Sequence, residues 1–137
     1  MKNELYQELR DYVKENSGFG SALLETNLYK KYLKAKEGLR IFDGKKVKLK
    51  YTCRQDFMGS AGIKFGKLIF HKDEKGNEEI RFFEGQKRSK YYTLDLGLYE
   101  GFYAVFIIDE IEEADKKEFS NYMKEQREIK FKRRYGF

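Results

Sequence analysis

Between Lys46 and Arg54 the chain alternates in character: Val47, Leu49, Tyr51 and Cys53 form one row, and Lys46, Lys48, Lys50 and Arg54 form the other. Successive strand side chains point to opposite faces, so the segment predicts a strand with one buried and one cationic face. A period of two persists from Arg40 to about Ile111, with candidate strands at Lys46–Arg54, Ile63–His71, Glu78–Glu84, Tyr91–Leu98 and Phe102–Glu110. Asp73-Glu74-Lys75-Gly76-Asn77 is a hairpin signal, because Gly and Asn accept the positive φ of tight turns. Gly85–Lys90 is a second, basic connection and Gly97–Gly101 a third. Phe102–Ile108 is apolar on both faces, which predicts the most buried strand.

The flanks change period. Leu5, Leu9, Tyr12 and Val13 recur at helical spacing after a cap at Asn3, and Asn16-Ser17-Gly18 ends that helix. A second helix, capped by Ser21 or Thr26 and stopped at Gly38, carries Leu24, Leu28, Tyr32 and Ala35 on one face. Its other face holds Lys30, Lys31, Lys34 and Lys36. At the far end, Glu112-Glu113-Ala114-Asp115 reads as the acidic first turn of a C-terminal helix with Phe119, Tyr122, Met123 and Gln126 inward. The pattern predicts one α+β domain over 1–137: a helical hairpin (1–39), a β-meander or barrel (40–111), and a C-terminal helix with a basic tail (112–137). Five short strands at this spacing suggest a strongly bent antiparallel sheet, an SH3-like or OB-like small barrel.

Composition narrows the class. The 137 residues suffice for one domain with a core. Eleven Tyr and twelve Phe argue against disorder, while the absence of Pro leaves the turns to Gly, Asn and Asp. One Cys excludes an internal disulfide framework, and a single His removes the usual zinc spacings. No cofactor or metal is expected. Met1-Lys2-Asn3-Glu4-Leu5 lacks the apolar region of a signal peptide, and no apolar run is long enough to span a bilayer, so a soluble cytoplasmic protein is expected. The richness in Lys, Glu, Tyr, Phe and Ile suits an AT-rich genome and points to a phage or mobile-element reading frame.

Charge then supplies the candidate chemistry. Twenty-nine Lys and Arg against 23 Asp and Glu give a net charge of +6. Three segments concentrate it: the basic strand, Lys87-Arg88-Ser89-Lys90, and Lys130-Phe131-Lys132-Arg133-Arg134. Clusters of this kind bind phosphate backbones through counterion release. The alternative for the strand is an edge defended against aggregation by its lysines. Within the doublet Tyr91-Tyr92, parity with Leu94 and Leu96 sends Tyr92 inward and Tyr91 outward, where an exposed ring near cations can stack on a base. The predicted nucleic-acid-binding set is Lys46, Lys48, Lys50, Arg54, Lys87, Arg88, Lys90, Tyr91, Lys130, Lys132, Arg133 and Arg134.

Other patterns have simpler explanations. Ser17-Gly18-Phe19-Gly20-Ser21-Ala22 is a turn between helices sooner than a phosphate loop, since no strand precedes it. His71 sits at the mouth of a solvated hairpin, without the partner a general base needs. Cys53 reads as a small buried hydrophobe. Asp109, Glu110, Glu112 and Glu113 invite comparison with a Mg²⁺ cluster, but a strand end and helix start would spread them. Gly66-Lys67-Leu68-Ile69-Phe70 followed by Asp73, Asn77 and Ile80 resembles the first Sm-type motif, Gly-x-Leu then Asp, Asn and Leu. Asp73 and Asn77 fall one residue late and no second Sm motif follows near Leu94–Gly101, so the resemblance carries over neither an RNA site nor a ring.

The expected function is non-catalytic binding of nucleic acid or a nucleoprotein through a basic face, with little base specificity. In a phage setting this would be an accessory or anti-defence inhibitor of the anti-CRISPR kind, with a host protein effector as a further candidate partner. The rival is a protein–protein interaction module using a sheet edge or apolar patch, its charge serving solubility. An enzyme would need a cleft gathering His71 or the Asp109–Glu113 carboxylates. Reversal of Lys48 and Lys50 is expected to weaken binding without unfolding the domain.

Overall fold

The computed structural model of the chain describes residues 1–5, 8, 27–53, 61–96 and 106–136. Five strands form a closed barrel: β1 (Lys46–Cys53), β2 (Ala61–Lys72), β3 (Glu78–Glu84), β4 (Tyr92–Asp95) and β5 (Phe106–Glu113). Helices α1 (Asn27–Gly38) and α2 (Lys116–Tyr135) flank it in sequence. A small α+β barrel is therefore what the alternating pattern builds. Of the predicted helical pair, the second member is α1, and the first falls mostly outside the described residues, as do Leu24 and Ser17–Ala22.

The barrel interior is filled by side chains, as five strands require. Val47 and Leu49 of β1, Leu68 of β2, Ile80 and Phe82 of β3, Leu94 of β4, and Ile108 and Ile111 of β5 are all buried. Tyr32 of α1 and Leu39 and Phe42 of the following 3-10 turn join this core, with Leu28 and Ala35 packed against it. The β2–β3 hairpin forms at the predicted place. Asp73 Oδ1 accepts from the Lys75 and Asn77 amides, both at 2.9 Å, and Gly76 takes φ 87°.

Three expectations need correction. The sheet is mixed, because β4 pairs with β5 in parallel (Leu94↔Phe106, Asp95↔Ile107), whereas the other neighbours are antiparallel. Next, β1 is hydrogen-bonded to β2 on one side and β5 on the other, so it is not an edge strand and its lysines guard no edge. Finally, Glu112 and Glu113 belong to β5, and α2 starts only at Lys116. Asp115 is its N-cap, accepting from the Lys117 and Glu118 amides at 3.1 Å each.

The third correction has a local cause. Lys50 faces Glu110 but Tyr51 faces Ile108, so Asp109 is an extra residue in β5. Such a bulge shifts the alternation by one. Ile108 and Ile111 both enter the core three positions apart, a spacing that imitates a helix. Residues 1–3 run along this part of β5: the Asn3 amide donates to Asp109 O at 2.9 Å and the Ile111 amide to Met1 O at 2.9 Å. Asn3 Nδ2 reaches Leu96 O at 2.8 Å and Ile108 O at 2.7 Å, tying the end of β4 to β5.

Candidate functional site

The outward face of β1 is cationic in sequence but lies opposite acids. Register puts Lys48 across from Glu112 and Lys50 across from Glu110. The Lys50 ammonium is 3.3 Å from Glu110, and that of Lys48 is 3.1 Å from Glu118 of α2 and 3.9 Å from Glu112. Lys46 places its ammonium 4.8 Å from the centre of the Phe119 ring. Lys46 and Lys48 therefore lie under the first turn of α2, which crosses outside β1 and β2. Arg54 and its connection to β2 fall outside the described residues, and so does the side chain of Cys53.

Beyond its first turns α2 leaves the barrel. Phe119 is its one buried residue, and Tyr122 and Met123 are half-buried. Phe119 meets Phe65 edge-on at 6.3 Å between ring centres, and Tyr122 lies 5.1 Å from the same ring. Phe65 points away from the interior and so serves as the dock for the helix. From Lys124 to Gly136 every residue is exposed. Gly136 ends the helix at φ 73°, its amide donating to Lys132 O at 2.9 Å.

Where α2 departs, it and the β3–β4 connection enclose an open groove of about 500 Å³. Lys87 stands on the connection side, and Arg127, Lys130 and Arg133 on the helix side, with Met123 and Ile129 also in the lining. The spacing explains the helical wall: residues three apart share a face, so Arg127, Lys130 and Arg133 form a row. Two of the three predicted basic segments thus converge, while the β1 segment is centred near Phe119, roughly 16 Å down the axis from Lys130 at 1.5 Å per residue. Arg127 is a groove residue that the predicted set lacks, although the i, i+3, i+6 row was there to be read.

A neighbouring depression continues past Lys87 and is lined by Ser89, Lys90, Tyr91 and Tyr92. Tyr92 turns inward against the Phe106 ring at 4.4 Å, and Tyr91 stays 41% exposed, as parity predicts. The Arg81 guanidinium lies 4.2 Å from the Tyr91 ring centre and Phe83 lies 5.6 Å from it, so the ring is held in place. Arg88 is exposed on the same connection. Lys132 lines a depression on another face of α2 with Lys124 and Phe131, and the Arg134 guanidinium lies 5.9 Å from the Tyr135 ring centre. Lys132 thus points elsewhere than Lys130 and Arg133, whereas Arg134, four positions after Lys130, lies on the same side of α2 without lining the groove.

The base of the groove is fastened by a polar cluster that the sequence reading did not single out. Lys64 and Glu84 occupy inward-facing positions of β2 and β3, and their charged groups meet at 3.0 Å. Glu84 Oε1 also accepts from the Tyr122 hydroxyl at 2.7 Å, and Oε2 from the Tyr92 hydroxyl at 3.2 Å. The Lys64 ammonium sits 5.5 Å from the ring centres of both Tyr51 and Tyr92. Burial pushes the Glu84 carboxyl up, but the hydrogen bonds from Tyr122 and Lys64 outweigh it and hold the group below the usual carboxylate range. Burial lowers Lys64, and its bond to Glu84 more than restores it, leaving it above the ordinary lysine value. Burial and the bond to Glu84 raise the Tyr122 phenol far above its usual value. The cluster is a clasp between α2 and the barrel. Opposite charges at two inward parity positions were its signal.

The remaining candidates are spread out. Asp109 accepts from the Thr52 hydroxyl at 2.7 Å, and Glu110, Glu112 and Glu113 are ion-paired to lysines. Register places His71 across from Glu79 on the hairpin. Among the described residues no group of three His, Cys, Asp or Glu side chains could hold a metal ion, and no helix is long and apolar enough to cross a membrane. The chain matches no protein-family profile, no curated protein and no solved structure.

Proposed function

We propose that this protein binds nucleic acid through the groove between α2 and the β3–β4 connection, as a non-catalytic binding module. The observation that carries this reading is the convergence of Lys87 with Arg127, Lys130 and Arg133 on a concave surface. Among the described residues the one carboxylate lining it is Glu84, which Lys64 and two tyrosines engage and which Lys87 approaches to 3.9 Å. Among the described residues Arg127, Lys130 and Arg133 have no acidic partner, so an anionic polymer would meet three unpaired cations on the helix side and, in Lys87, one shared with Glu84 at 3.9 Å. A nucleoprotein would be engaged through its DNA or RNA component, since a basic groove repels a basic channel.

Fluorescence anisotropy of labelled oligonucleotides at increasing salt tests the reading. Neutralising about four phosphates predicts log K falling with log salt at a slope of roughly −3. The exposed pair K130Q/R133Q should flatten that slope by about 1 to 2 without changing the fold. Oligonucleotide binding that survives this double variant unchanged would place the nucleic acid outside the groove, and no binding even at low salt would favour a protein partner on the exposed Ile129, Phe131 and Tyr135.

A further inference from the structure

Resting on the reading of the groove as a phosphate track, we infer that its ligand is single-stranded nucleic acid, with one base stacked on Tyr91. Lys87 lines both the groove and the adjoining depression that holds Lys90 and Tyr91. A backbone following Arg133, Lys130 and Arg127 therefore runs past Lys87 to an exposed aromatic ring. Tyr91 is prepared for stacking: Arg81 and Phe83 fix its ring while two fifths of the residue faces solvent. A preset ring loses little rotamer freedom when a base lands on it. Arg81 is itself paired to Glu79, which keeps the support rigid.

The shape of the site argues for the same ligand. A duplex can lay a backbone along the groove, but its bases stay stacked on each other, so it cannot at the same time offer a base face to Tyr91. A single strand can do both at once. Every base has a π-face, so stacking of this kind tolerates sequence and suits the weak base specificity expected of a phosphate track.

The test is an anisotropy titration of the full chain with a labelled oligo(dT), its perfect duplex with oligo(dA), and the same single strand carrying abasic sites. The single strand should bind more tightly than the duplex. Tyr91→Ala should lose roughly 5- to 150-fold in affinity for the single strand, the range set by one stacked base, while Tyr91→Phe stays near wild type. The salt slope should be unchanged in Tyr91→Ala, since no phosphate contact is lost. Abasic sites should cost wild type as much as the alanine substitution does, and should cost Tyr91→Ala little, the non-additivity expected when ring and base are partners. Salt-dependent binding with duplex preferred or equal, and Tyr91→Ala silent, would overturn this inference and leave the groove reading standing. Failure of both probes to bind at low salt would overturn the two together.

Discussion

Glu84→Gln removes one charge from the clasp and nearly nothing else. The side chain keeps its length and one acceptor oxygen, but Lys64 loses its counter-ion at 3.0 Å and the two phenols lose a charged acceptor. Leaving one partner of a buried pair uncompensated costs about 3–5 kcal/mol. Here the Lys64 and Glu84 side chains retain 20% and 13% exposure, so water relieves part of that loss. A destabilisation of about 2–3 kcal/mol is expected, or roughly 10 °C in Tm for a chain of this size. Urea unfolding followed by far-UV circular dichroism measures it, since the chain has no Trp to report by fluorescence. K64M/E84L should return part of the loss, because an apolar pair removes both desolvation penalties while leaving the Tyr92 and Tyr122 hydroxyls without their acceptor.

The pH dependence follows from the direction of each shift. Glu84 is depressed in the native state, so its contribution is complete above the unfolded carboxylate pKa and is lost as pH falls through the native one. Lys64 is raised, so its contribution is complete below the unfolded lysine pKa and is lost only as pH rises through the native value. At pH 7 both contribute in full. The gap between wild type and Glu84→Gln should be widest there and close as pH drops below the usual carboxylate range. A gap below about 0.5 kcal/mol at pH 7, within the range of ordinary surface substitutions, would refute this account of the clasp.

The reversal K48E/K50E should destabilise the barrel by about 1–2 kcal/mol, because it sets like charges against Glu110, Glu112 and Glu118. It should leave oligonucleotide affinity within a few-fold of wild type, checked by urea midpoint and anisotropy together. Gly66→Ala should abolish cooperative folding by thermal melt, since a Cβ there would lie 2.2 Å from Phe83 O and 2.9 Å from the Glu84 Cα. Leu49→Asp should also leave no folded state in the same melt, its side chain being fully enclosed in the core.

Short-range patterning made much of the fold legible. Burial of Val47 and Leu49, the Asp73–Asn77 turn and the opposite fates of Tyr91 and Tyr92 all follow from a period of two. The parallel β4–β5 closure was not legible, because it joins segments across the 96–105 stretch and no local pattern encodes a partner. The acids after Ile111 misled for a local reason: the Asp109 bulge broke the alternation at the point where the strand needed it. The error about the basic face was one of pairing. Lys48-Leu49-Lys50 has its complement in Glu110-Ile111-Glu112, a mirrored charge pattern that would have suggested the match. The groove cations were visible as residues, while their meeting required the docking of α2 on Phe65.

The placement of β1 between β2 and β5 bears on how the barrel opens. One neighbour adjoins it in sequence and the other returns from some sixty positions away, so closure waits on a distant encounter and should make folding slow for a chain this short. In hydrogen–deuterium exchange, β1 amides are held from both sides and should exchange only when the whole barrel comes apart. The parallel seam between β4 and β5, which among the described residues joins Leu94 to Phe106 and Asp95 to Ile107, can open by itself, and these amides should exchange first among the described strands.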